Sequence, residues 1–192
     1  SCRISNPSQS FQALTVGSIC LDHFNTVDRN SFGVRGAPSS FTRTGPGLWN
    51  TIKPDVVELG GDLCHDNFVP PNLFTTPSTC PELVCSTHDG GPATRRDGVG
   101  TSFAAPKVAA IAAKLQADLP HSPTLLYRAL IAQSARWPDW ANSIPPSEAI
   151  RMFGYGLPDV TRATENNDYR VTLITPDSNK ILAQEAHIYE IK

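Results

Sequence analysis

The chain has 192 residues, 40% hydrophobic and 18% charged, a balance that excludes an intrinsically disordered protein and leaves room for one domain or part of one. The formal net charge is −2 with no block of one sign, which argues against nucleic acid or an anionic membrane surface as partner. No apolar stretch reaches the roughly 20 residues of a transmembrane helix.

In chain order, "FQALTVGSI" (11–19) is an apolar run bounded by turn formers and predicts a buried strand. Residues 24–50 are rich in Ser, Gly, Pro and Asn and read as loop. "IKPDVVELGG" (52–61) holds a short strand ended by Gly60 and Gly61. Residues 62–97 form a long polar segment with little periodicity, in which "LVC" (83–85) is one more short strand; loops of this length usually carry function or an insertion. From 102 the pattern turns helical. A first helix, 102–117, is made of small apolar residues on all sides, predicting burial on most faces in a layered α/β domain. A second, 121–137, takes Ser122 as N-cap and Pro123 as first helical residue, with Leu125, Leu126, Leu130 and Ile131 as its buried stripe. A third, 146–154, is capped by Ser147, and a fourth lies within 156–166. "YRVTLIT" (169–175) and "AHIYEI" (186–191) predict two tail strands.

Five cysteines, Cys2, Cys20, Cys64, Cys80 and Cys85, without a CxxC do not resemble a disulfide framework; they read as thiols of a reducing compartment and lean towards the cytoplasm, with a secreted protein as the alternative. A Cys80–Cys85 bridge stays open. A zinc set drawn from Cys64, His65, Cys80, Cys85 and His88 has irregular spacing. The chain begins with serine and its one methionine is Met152. It therefore reads as a piece of a longer polypeptide, in which the lack of a leader carries no information.

The chemistry concentrates in "GVGTSFAAPKVAAIAAKL" (98–115). Ser102 falls at the N-terminal end of the first helix, where the first backbone N–H groups have no intrahelical acceptor and the dipole favours negative charge. That placement suits a nucleophile in acyl transfer, with the Ser102 N–H as one donor to the developing oxyanion. Gly100 gives the close turn that exposes the hydroxyl, and Thr101 completes the turn. Pro106 is expected in the first turn, where its missing N–H has no bond to lose. A bare Gly-Thr-Ser before a helix would read first as an ordinary N-cap, because capping serines are common; the longer string changes that reading.

The longer string "GTSFAAPKVA" resembles the active-site serine signature of the subtilisin-like serine proteases, the subtilases: Gly100, Thr101, Ser102, Ala104, Pro106, Val108 and Ala109 fit its constrained positions. "NPSQSFQALTVGSI" (6–19), "GPGLWNTIKPDVVELGG" (45–61) and "FGYGLPDV" (153–160) resemble further family segments, in the family's order. The resemblance covers roughly 5–165. It implies a three-layer α/β fold with a mostly parallel sheet, present as its C-terminal half over 1–167, and a C-terminal β extension beginning at 168–192. It implies a serine endopeptidase whose nucleophile is Ser102, without cofactor, acting on peptide or protein substrates. Pro7, on the rim matching the family's specificity pocket, is a substrate contact. Residues 62–97 would shape the leaving-group side or form a lid. Many subtilases bind calcium, and Asp62, Asp66, Glu82 and Asp89 are the acids available, although their spacing matches no calcium loop.

The family's Asp, His and oxyanion-hole Asn motifs do not occur here. The pairs Asp22-His23, His65-Asp66 and His88-Asp89 place neighbours on opposite faces of an extended backbone, a poor base–orienter geometry, and read as solvated loop residues; His121 and His187 lie too far along the chain. Lys107 reads as a solvated or interface residue. The isolated chain is therefore expected to be inactive, to need the preceding half of the domain as partner, and to self-associate through exposed strand edges. Two other readings compete: a pseudo-protease serving as a binding or scaffolding module, and an unrelated α/β binding protein with a capping serine.

Overall fold

A computed structural model describes residues 3–68, 74–75, 84–85, 90–92, 94, 96–174 and 182–186. The centre is a parallel pair, β1 (Val16–Ile19) beside β3 (Val56–Leu59), with Val16 opposite Val56 and Ile19 opposite Leu59. Side chains alternate across a strand, so Val56 and Val57 face opposite ways. Val56 joins a core with Val108, Ile111, Leu115, Leu130 and Ile131, whereas Val57 joins Ile19, Ala141, Ala149 and Phe153. Helical residues thus cover both faces of the pair.

The first face is covered by α1 (Thr101–Asp118), which packs on β1, β3, α2 (Thr124–Ser134) and α4 (Val160–Thr164). The second is covered by a 3-10 turn (Asp139–Ser143) and α3 (Pro146–Phe153). Among the described residues the parallel strand pair is β1 with β3, and one isolated parallel bridge joins Arg3 to Thr44. The other strands are antiparallel: β2 (Arg29–Ser31), β4 (Cys64–Asp66) and β5 (Phe74–Thr75) form one small sheet, and β6 (Val84–Cys85) with β7 (Arg96–Gly98) another. The α/β class holds. The strand within 83–85 is found at Val84–Cys85, but segments 24–50 and 62–97, read as loop, contain β2, β4 and β5.

Several helix expectations shift. Only one stripe of α1 is buried, Ala104, Val108, Ile111 and Leu115; Ala105, Ala109, Ala110 and Ala113 meet solvent because the described elements lie on one side of the helix. Pro106 lies inside the helix, which begins at Thr101. In α2 the N-cap is Pro123 rather than Ser122. The resulting face buries Tyr127, Leu130, Ile131 and Ser134 and leaves Leu125 exposed, with the Tyr127 hydroxyl donating to Leu119 O at 2.5 Å. Ser147 is inside α3, whose N-cap is Pro145. Asp159 caps α4, accepting from Arg162 N at 2.7 Å. In the tail, 169–174 is not strand and Tyr169 is almost fully exposed; 187–192 lies outside the described residues.

One ionic cluster is buried at the leading end of β3. Lys53 Nζ donates to Asp55 Oδ2 (2.6 Å), Ala13 O (2.9 Å) and Thr15 Oγ1 (3.1 Å). Asp55 also accepts from Thr15 N (2.8 Å) and, through Oδ1, from Arg128 Nη2 of α2 (2.5 Å). Lys53 and Asp55 are almost wholly buried. Breaking such a pair from one side strands the other charge. Asp55→Ala should therefore lower the unfolding free energy by about 3–5 kcal/mol, read from the urea midpoint and slope; a loss below about 1 kcal/mol would show that the cluster does not hold this end of the sheet.

Candidate active site

β3 runs out at Leu59 into Gly60, and this end of the strand receives α1. Gly60 N donates to Ile19 O (3.2 Å), and Gly60 O accepts from Gly100 N (2.8 Å). A Cβ at Gly60 would stand 2.2 Å from Ser18 Oγ and 2.6 Å from Gly100 O, so only glycine permits the approach. Gly100 has φ 151° and ψ 160°, a region left to glycine. The chain then enters α1, with Phe103 N donating to Gly100 O at 3.0 Å.

Ser102 is the second residue of the helix and is exposed. No side chain caps α1 and no acidic residue stands in its first turn. Among the described residues the N–H groups of Thr101 and Ser102 have no acceptor, and nothing hydrogen-bonds the Ser102 hydroxyl. The helix thus presents a hydroxyl beside two uncommitted donors at the positive end of its dipole. The reading of Ser102 as a mere N-cap fails on geometry, since the N-cap position is Gly100.

Thr101 lines a cavity of about 240 Å³ together with Ser5, Ser8, Phe41, Thr42 and Arg43. Pro7 itself is exposed, in a turn closed by Ser8 N to Ser5 O (2.9 Å) and Ser10 N to Pro7 O (3.0 Å). Its neighbours Ser5 and Ser8 face the cavity in its place. Beyond Phe41 and Arg43 a wider hollow of about 560 Å³ is walled by Phe32, Val34, Trp140 and Met152.

No described histidine hydrogen-bonds Ser102. His23 is exposed with its ring on Gly33 O (3.0 Å), and His121 is exposed beyond the end of α1. His65 is not a solvated loop residue: it lies half-buried in β4 opposite Asn30, with its Nδ1 unpaired. His88 and His187 lie outside the described residues. So do Cys2 and Cys80; Cys80 and His88 are two of the five zinc-set residues, and Cys80 is one end of the 80–85 bridge. Cys20 is buried and its thiol faces Asp62 Oδ2 at 3.3 Å. Asp62 Oδ1 accepts from the Ser40 amide and hydroxyl and the Leu63 amide (3.0, 2.6 and 2.8 Å). The described residues hold no group of three or more metal-ligating side chains.

Lys107 also departs from expectation. It is half-buried, and its Nζ donates to Leu59 O at 2.9 Å. The neighbouring Glu58 carboxyl is pushed above its usual range by burial, against the opposing pull of the Leu59 N–H (2.7 Å) and the Lys107 charge.

The sequence profile of the subtilase family matches residues 2–156. The chain belongs to the subtilase family. It is also 34% identical over 185 residues to the uncharacterized protein y4bN of Sinorhizobium fredii (strain NBRC 101917 / NGR234), a match that covers 91% of this chain and 43% of that protein. The chain thus spans less than half the length of this relative.

Burial raises Glu58 above its ordinary 4.5, so the fold keeps a proton there that the unfolded chain has released. The stability from this group is present below pH 4.5 and is lost as pH rises through the raised value. Glu58→Gln should flatten that fall; denaturation midpoints measured from pH 4.5 upward decide, and a wild-type slope in the variant would contradict it.

Proposed function

We propose that this chain supplies the nucleophile of a serine endopeptidase, and that it is the C-terminal half of a three-layer catalytic domain followed by the first part of a C-terminal extension. The observation that carries the reading is the exposed Ser102 hydroxyl next to two uncommitted amides at the start of α1. In the intact enzyme a histidine from the preceding half takes the Ser102 proton as the oxygen attacks the scissile carbonyl carbon, and an aspartate orients that histidine. The Ser102 N–H and an asparagine from the same half hold the oxyanion. The histidine then returns its proton to the departing amine, and water hydrolyses the acyl-serine. Subtilase membership supports serine hydrolysis in general. The triad, the inactivity of the isolated chain and its need of the first half belong to this proposal.

The solvent-facing alanines of α1 support a missing neighbour on that side, since they leave a strip without a polar face. The rim beside Pro7 and the cavity of Thr101 and Ser5 would take the substrate residue preceding the scissile bond.

A fluorophosphonate probe should label the full-length protein covalently at Ser102, and Ser102→Ala should abolish the label. An unlabelled wild type would support the binding-module reading instead. The 192-residue chain alone should show no peptide turnover and should sediment as associated species; Ser102-dependent cleavage by the isolated chain, or a stable monomer at all concentrations, would overturn the half-domain assignment.

A further inference from the structure

Pro106 has no N–H, so the Ser102 carbonyl lacks the bond that residue 106 would normally donate, and the proline ring crowds that carbonyl. The turn bearing the nucleophile is therefore short of one helical bond. Two tethers cross from this region to adjacent carbonyls at the end of β3: Gly100 N to Gly60 O (2.8 Å) and Lys107 Nζ to Leu59 O (2.9 Å). One lies two residues before Ser102 and the other five after it. Loss of either would let the first turn pivot about the other.

We infer that Lys107 is a positioning residue for Ser102: by donating to the Leu59 carbonyl it locks the first turns of α1 onto the end of β3 and fixes the nucleophile's direction. The inference rests on Ser102 being the nucleophile. Lys107 touches no substrate and acts through the backbone. Its half-buried stem packs beside the strand end while the ammonium caps a carbonyl. Methionine would keep the stem and lose the donor, whereas arginine would keep a donor.

In the full-length protein, Lys107→Met should slow fluorophosphonate labelling of Ser102 and lower kcat on a peptide by about tenfold, with KM within about twofold, because a small misdirection of a reacting group costs rate rather than binding. Lys107→Arg should recover most of the loss. Hydrogen exchange supplies a readout independent of activity. In Lys107→Met the Gly100 amide should lose about tenfold protection, with exchange near Leu115 unchanged. If the wild type itself is not labelled, the nucleophile reading fails and the exchange measurement alone decides on the tether. If Lys107→Met does not fold, Lys107→Gln carries the same tests. Wild-type labelling in the variant, or unchanged Gly100 protection, would overturn the inference.

Discussion

The close approach of Gly60 to Gly100 is the constraint on which the rest of the structure depends. Two backbones meet with no room for a Cβ at Gly60, and one hydrogen bond joins them. Behind them, the Ser18 hydroxyl shares a hydrogen bond with Ser39 (2.7 Å), and Ser39 donates to Gly61 O (2.6 Å). Asp62, fully buried, collects three donors from Ser40 and Leu63. The strand end is thus fixed by bonds to the 39–40 loop before α1 arrives. The helix inherits that position, and Ser102 inherits the helix.

β3 is held at both ends by different physics. Its trailing end uses backbone contact and small residues. Its leading end uses the Lys53–Asp55–Arg128 cluster, which ties the 11–15 segment and α2 to the strand. Buried ion pairs often add little net stability over an apolar packing, but they penalise every alternative register in which one charge lacks its partner. The carboxylate of Asp55 accepts three donors from three segments of the chain, so a slip in any of them strands a charge. A short strand of four residues gains its register from such ends rather than from its length.

The features legible in the sequence are those set by local chemistry. The apolar runs that became β1 and β3, the helix within 156–166, and the glycine turn exposing Ser102 each follow from residues adjacent in the chain. What escaped reading depends on distant partners. β2, β4 and β5 are two or three residues long, and Asn30 pairs with His65 across a gap in sequence that no periodicity reveals. The stripe of α2 was misplaced because a one-residue change of N-cap, from Ser122 to Pro123, accompanies a face in which Tyr127 replaces Leu125. The carbonyl that Lys107 caps is 48 residues away, so the sequence gives only a cation after a proline. Pro106, expected in the first turn, is the sixth residue of a helix that starts at Thr101 and so lies in its second turn.

An uncapped helix start is ordinarily a cost, since donors lie idle and a stabilising side-chain bond of about 1 kcal/mol is forgone. Here Pro106 removes a further bond a turn later. α1 tolerates both because its residues supply stability elsewhere. Alanine has the highest intrinsic helix propensity and loses no rotamer freedom, so Ala105, Ala109, Ala110 and Ala113 favour the helix through their backbone preference alone. The covered stripe from Ala104 to Leu115 anchors the opposite side in the core. The helix can therefore leave its first amides uncommitted, and under the proposed function those amides would face the negative charge developing beside Ser102. Small residues along the helix and free donors at its tip are two parts of one design: the composition that makes α1 stable without a cap is what leaves its tip available for chemistry.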